Sequence, residues 1–318
     1  MSTIVNKGFV RSRQVYTLSR SMMSISVSDS VKTFSFEVLN LRDYIVSRKE
    51  LLCITGAGIS TASGIPDYRG VNGSYRRGHK PMTHSEFVSS DRARKRYWAR
   101  SMAGYNFFSN AKPNIAHSSL AVLESRGLVN GIISQNVDSL HEQGGSSAVL
   151  HLHGRIDAVR CLSCSHVSTR ASLQDDMIAR NSPELVELLT CGGQGGYRVR
   201  ADGDMDLGDI DLSQFFVPEC SECGGVLKPD VVFFGDSVPK ATAEGAMKQV
   251  ESSDGLLVIG SSLEVYSAFR LVRAAINQGK PVAVVNTGVT RVEREGMPLH
   301  LKSEKDCCTL LNDVVLSL

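Results

Sequence analysis

Residues 1–28 contain no acidic side chain. Lys7, Arg11, Arg13 and Arg20 stand there among serines, and a basic, serine-rich, acid-free stretch has the composition of an organelle transit peptide. Its apolar stretches are too short for a secretory signal core. The expectation is a disordered mitochondrial transit peptide over 1–28 and a mature protein in the mitochondrial matrix. Long apolar runs are also missing. None reaches the roughly 20 residues that span a bilayer, so no membrane insertion is expected. Charge imbalance is missing too: 35 Lys and Arg stand against 33 Asp and Glu, a net charge of +2. That gives no global electrostatic footprint for nucleic acid, and no nucleic-acid partner is expected. At 318 residues, 42% hydrophobic and 21% charged, the chain suits one large globular domain, or one large and one small.

The stretch that organises the chain is Leu51–Arg69. Leu51, Leu52, Cys53 and Ile54 form an apolar run that predicts a buried parallel strand. It breaks into Gly56-Ala57-Gly58, after which Ser60, Thr61 and Ser63 are candidate helix caps. A glycine-rich turn between strand and helix lets backbone N–H groups approach a phosphate. The third glycine of the dinucleotide fingerprint is absent, however, so the turn alone is a weak signal. Its continuation, Gly64-Ile65-Pro66-Asp67-Tyr68-Arg69, is unlike a plain helix interior.

Further along, Glu37–Lys49 and Glu86–Phe108 carry helical periodicity, and Gly70–Pro81 reads as a loop able to close over a ligand. Leu128–Ser134 reads as a strand ending in Gln135-Asn136-Val137-Asp138, where open α/β sheets bind ligands. Alternation along Leu150–Gly154 puts His151 and His153 on one face of an extended segment, as a general base or metal ligand. Val231–Asp236, Gly255–Ile259 and Pro281–Val285 read as further strands. The last two end in Gly260-Ser261-Ser262 and Asn286-Thr287-Gly288, with helical pattern between them, which is βαβ spacing. The fold expected is α/β, a doubly wound parallel Rossmann-like sheet with its ligand-facing loops on one edge.

Of the eight cysteines, Cys161-x-x-Cys164 and Cys220-x-x-Cys223 form two pairs. Each makes a tight turn that presents two thiolates, and two such turns complete a tetrahedral structural zinc site. The intervening stretch is too long for a minimal ribbon, so a smaller zinc-binding domain, roughly 155–228, is expected as an insert. Cys191 is not counted as a ligand.

The ordered set Gly56-Ala57-Gly58-Ile59-Ser60, Gly64–Arg69, Gln135–Asp138, His153-Gly154, the cysteine pairs, Phe234-Gly235-Asp236, Gly260–Ser262 and Asn286 resembles the sirtuins. The likeness covers 37–318. The transit-like start, Tyr68 in place of a commoner phenylalanine, and Arg96–Arg100 look most like the class II mitochondrial branch, that of sirtuin-4. His151 and Asp236 depart from the family, which commonly has glutamate at both positions.

The resemblance implies an enzyme that uses NAD as co-substrate and moves an acyl group from a protein lysine to ADP-ribose, releasing nicotinamide. Gly56, Ala57, Gly58, Ser60, Ile65, Pro66, Asp67, Tyr68, Arg69 and Tyr75 would hold NAD from the first loop. Gln135, Asn136, Val137, Asp138, Gly260, Ser261, Ser262, Asn286, Thr287, Gly288 and Cys307 would hold it from the others. His153 would be the general base, with Asn136 beside it. Val232 and Phe233 would line the acyl-lysine channel. Tyr97 and Arg100 share the spacing of the pair that reads acidic acyl groups in the desuccinylating branch, against an exposed basic helix as the alternative. The implied substrates are acylated mitochondrial proteins, with acyl groups longer or more branched than acetyl, including lipoyl, biotinyl or glutaryl-like ones. Mono-ADP-ribosyl transfer uses the same NAD site and stays open. A zinc-knuckle binding module and a dehydrogenase are the remaining alternatives.

Overall fold

The structure is a computed structural model and describes residues 34–191 and 200–318. The transit-peptide stretch and the glycine run after Cys191 lie outside the described residues. In chain order the strands are β1 (Leu51–Thr55), β2 (Gly131–Ser134), β3 (Val149–His151), β4 (Gly154–Cys161), β5 (Val167–Thr169), β6 (Leu227–Val231), β7 (Gly255–Ile259), β8 (Val282–Val285) and β9 (Leu301–Ser303).

Six of them pair in parallel in the order β3-β2-β1-β7-β8-β9. Counting only these six along the chain, that is the 3-2-1-4-5-6 order of a doubly wound Rossmann-like sheet, with its switch point between β1 and β7. Strand periodicity explains the two layers. Leu51 and Cys53 point into one apolar core, and Leu52 and Ile54 into the other. β7 divides the same way, Leu257 and Ile259 against Leu256 and Val258. Helices Phe36–Val46, Ile115–Ser125 and Cys307–Ser317 supply the first core, and Lys240–Ser252 and Tyr266–Asn277 the second.

The remaining three strands form an antiparallel sheet, β5-β4-β6. Here the strand expected over Val231–Asp236 is corrected. β6 ends at Val231 and pairs antiparallel with β4, Gly154 opposite Val231 and Cys161 opposite Leu227. Val232 then leaves the sheet, its N–H donating to His153 O at 2.9 Å. A run of Val and Phe fits either kind of strand, so local pattern does not fix its sheet.

Under the antiparallel sheet, Val159, Leu173, Met177 and Phe215 pack with Phe87, Tyr97, Trp98 and Met102. Trp98 Nε1 donates to Leu227 O at 3.2 Å. Residues outside 155–228 thus complete this core. They come from two helices, His84–Ser89 and Asp91–Ser109, where a single one was expected. Ser90 separates them in an extended conformation and caps the second by accepting from Ala93 N–H.

Candidate active site

A large cavity, about 1070 Å³, opens at the switch point between β1 and β7. The loops after β1, β2, β7 and β8 all line it. Two of its glycines let neighbouring loops approach closely. A Cβ on Gly58 would fall 2.9 Å from Gly260 Cα, and one on Gly56 would fall 2.8 Å from Ser261 Cβ. Gly56 N–H donates to Ile259 O at 3.1 Å and Gly58 N–H to Gly260 O at 2.9 Å. These N–H groups are spent on the neighbouring strand end, so the glycines allow loop to touch loop. No α-helix starts here either: Ala57–Ser63 is a 3₁₀ turn whose N-cap, Gly56, has no side-chain cap. Ser60 and Thr61 do not cap a helix, since Ser60 Oγ donates to Asp138 and Thr61 Oγ1 to Gly58 O.

The base is placed where β3 has already ended. His151 is the last residue of β3 and its Nε2 meets Glu142, while His153 sits in the following turn and faces the cavity. The two histidines therefore do not share a face, because the alternating register stops at His151. His153 Nδ1 lies 2.9 Å from Gln135 O, and Nε2 lies 2.7 Å from Ser267 Oγ. A carbonyl oxygen only accepts, so Nδ1 carries the proton and Nε2 offers a lone pair to the Ser267 hydroxyl. Burial pushes the imidazole pKa below the usual histidine range, against a smaller upward pull from Gln135. A neutral ring with an outward lone pair at pH 7 is what a general base requires.

Asn136 faces the same space, and a buried chain of bonds fixes it. Its Nδ2 donates to Gly56 O at 3.3 Å and to Ser60 Oγ at 3.1 Å. Ser60 Oγ donates to Asp138 at 2.6 Å, and Asp138 also accepts from Leu140 N–H. Gln135 Nε2 donates to Ser261 Oγ at 2.8 Å, tying the β2 loop to the β7 loop.

Most of the residues named from sequence come together. Gly56, Ala57, Gly58, Asp67, Tyr68, Arg69, Gln135, Asn136, Val137, His153, Gly260, Ser261, Ser262, Asn286, Thr287, Gly288 and Cys307 line the cavity. Ser60, Ile65, Pro66, Tyr75 and Asp138 do not. Ser60 and Asp138 sit behind the wall as described, and Ile65 is buried in an apolar cluster with Phe108 and Leu140. Tyr75 packs against Tyr68 at 5.3 Å and under the Arg69 guanidinium at 4.9 Å.

Val232, Phe233 and Tyr97 form the apolar end of the cavity. Tyr97 is buried, which rules out an exposed basic helix for this position. Arg100 does not reach the same space. Its Nε donates to Met205 O at 3.2 Å and lies 3.6 Å from the buried Asp204 carboxylate, beside a smaller cavity of about 120 Å³. Asp202 lines the large cavity together with Tyr97 and Phe233, and it stands 3.3 Å from His79 Nε2. Burial works against its charge, but the His79 contact holds the carboxyl below its ordinary range. Ser267 and Asp202 were both missed in the sequence, since neither belongs to a local motif. A hydroxyl two residues into a helix and an acid in an acidic run carry no signal of their own.

The two cysteine pairs meet at the end of the antiparallel sheet. Cys161 Sγ lies 3.6 Å from Cys223 Sγ, and Cys164 Sγ lies 3.7 Å from Cys220 Sγ. All four sulfurs fall within 4.8 Å of one another. Zinc–sulfur bonds of about 2.3 Å in a tetrahedron imply sulfur–sulfur edges of about 3.8 Å, so the four thiols fit a structural Zn²⁺.

Known proteins match this arrangement. The Sir2 family model matches residues 56–267. The NAD-dependent protein deacylase SRT2 of Arabidopsis thaliana is 48% identical over 261 residues, covering 80% of this chain and 69% of that protein. The NAD-dependent protein deacetylase of Xanthomonas axonopodis pv. citri is 44% identical over 272 residues, covering 85% and 88%. Among solved structures, Sir2Tm bound to a propionylated peptide superposes with a TM-score of 0.68 at 27% identity, covering 88% of this chain and 98% of that one. The doubly wound sheet, the neutral histidine at its switch point and the four-cysteine cluster are thus those of a Sir2-type protein. The chain belongs to the sirtuin family, whose members use NAD as co-substrate.

Proposed function

We propose that the protein is an NAD-dependent protein-lysine deacylase acting on acylated proteins in the mitochondrial matrix. The observation that carries this is His153, whose Nε2 opens into a cavity with the Gly56–Gly58 and Gly260–Ser262 loops at one side and Val232 and Phe233 at the other. One end suits a dinucleotide and the other the apolar stem of an acyl-lysine. In the family chemistry the acyl oxygen attacks the ribose carbon as nicotinamide departs, and the acyl group ends on ADP-ribose. The part this chain plays is to hold the base neutral, to fix Asn136 beside it, and to keep water from the reacting carbon with the apolar wall.

Acyl groups longer than acetyl are favoured by the apolar lining that Val232, Phe233 and Tyr97 give the cavity, with the Phe233 and Tyr97 rings 5.2 Å apart. Between acidic glutaryl-like groups and neutral lipoyl or biotinyl groups, the neutral ones are supported. Asp202 puts a negative charge in the wall, and Arg100 is turned to Asp204 and Met205 O. The acid-free composition of 1–28 and the likeness to the class II branch support the mitochondrial address. A fluorescent fusion of the full chain colocalising with a matrix marker is the expected result, and a cytosolic signal would remove that address.

The deciding experiment is nicotinamide release from NAD with a panel of acyl-lysine peptides. Acyl-dependent release is expected, with acyl-ADP-ribose as product, and it should fall about 10²- to 10⁴-fold in His153→Ala. Release without any acyl dependence, with ADP-ribose appearing on protein, would replace this function with mono-ADP-ribosyl transfer.

A further inference from the structure

The outward nitrogen of the base is already occupied. Ser267 Oγ lies 2.7 Å from His153 Nε2, and both residues line the large cavity. Ser267 is the second residue of helix Tyr266–Asn277, whose inner face of Ala268, Phe269, Leu271, Val272 and Ala275 is fully buried. Packing therefore fixes the place of the hydroxyl, as a loop would not. The helix N-cap is Val265, with no side-chain cap bond. The Ser267 hydroxyl is spent on the imidazole.

We propose that Ser267 is a positioning residue for His153, an assignment that rests on the deacylase function above. Before the substrates meet, its O–H donates to Nε2 and locks the tautomer in which Nδ1–H faces Gln135 O. That also keeps the lone pair from water. When the ribose hydroxyl reaches Nε2, it displaces the serine and its proton passes to Nε2. The Nδ1 proton stays on His153 and the serine proton stays on Ser267. The hydroxyl then turns about its Cβ–Oγ bond and accepts Nε2–H of the imidazolium. A hydrogen bond from a charged donor is stronger than the neutral one it replaces, so Ser267 eases the charging of a ring that burial disfavours.

Other charged groups share the cavity around the ring. Arg270 lies one turn along the same helix, Glu264 in the loop before it, Asp236 in the segment after β6, and Asp67 and Arg69 in the first loop. The downward push on His153 comes from burial, opposed by the Gln135 bond.

The test compares wild type, Ser267→Ala and Ser267→Thr. In Ser267→Ala, kcat/KM for acyl-dependent nicotinamide release should drop several-fold, and its acid limb should move down by about half a pH unit to one unit. Ser267→Thr should restore both. An unmoved limb, or an equal loss at every pH that threonine does not rescue, would overturn the assignment. An NMR titration of the His153 ring in wild type and Ser267→Ala needs no substrate. Its pKa should fall in the variant, and an unchanged value would overturn the assignment even in an active enzyme. If no peptide supports release while the His153 pKa still falls in Ser267→Ala, the deacylase function fails and the Ser267–His153 coupling stands.

Discussion

β1, β7 and β8 are buried along their whole length between two apolar cores, whereas β4 and β5 show exposed residues at intervals. The parallel sheet holds its loops by packing on both faces. The antiparallel sheet has one core, borrowed in part from the helix Asp91–Ser109, and closes at its far end on four thiols that fit a metal ion. Yet the site needs both. The NAD-side loops come from the first sheet, and the Val232–Phe233 wall follows directly from β6 in the second. One half of the cavity is therefore set by burial on two faces, and the other by a single apolar core beside four thiols that fit a metal ion.

The largest expected effect breaks that comparison at the metal. Cys220→Ser removes one of four sulfurs, and structural zinc sites contribute on the order of 10 kcal/mol to folding. Hydrogen exchange should show β4 and β6 losing protection while β1 and β7 keep theirs, with activity lost through the channel wall. A fully active variant without zinc would show that packing alone holds the second sheet.

A smaller effect lies in the parallel half. His117 and His141 are buried with their rings 4.9 Å apart, and burial pushes each down to about 4. Between about 6.5 and 4 the unfolded chain binds more protons than the folded one, so stability falls as pH is lowered through that window. The loss should be a few kcal/mol, on the order of 3 per site at most. Urea denaturation at pH 7 and pH 5 measures it, and His117→Gln should flatten the dependence. A slope unchanged in that variant would trace the acid lability to other groups.

The smallest effect concerns the channel end. Asp202→Asn removes the wall charge beside His79, and glutaryl-lysine should then gain about 3- to 10-fold in kcat/KM relative to a neutral acyl group of equal length. An unchanged ratio would take Asp202 out of acyl selection.

What could be read in the sequence follows from how local each feature is. β1, β7 and β8 are continuous apolar runs that end in small polar residues, so both strand and ligand edge were visible. The cysteine pairs carry their geometry in their spacing. Val231–Asp236 was misassigned because sheet membership depends on partners far along the chain. Ser60 and Asp138, expected to hold NAD, do not line the cavity. They support Asn136 from behind, which only the packed structure shows. Ser267 meets His153 through a contact across 114 residues of sequence, beyond any local pattern.

The backbone of His153 has one further consequence, for inhibition. Its carbonyl accepts from Val232 N–H, so the same residue carries the reacting ring and anchors the channel wall. A small molecule lodged against Val232 in the cavity wall would pull on that peptide unit and tilt the imidazole. Such a compound would slow turnover at saturating NAD, and raising the NAD concentration would not relieve it.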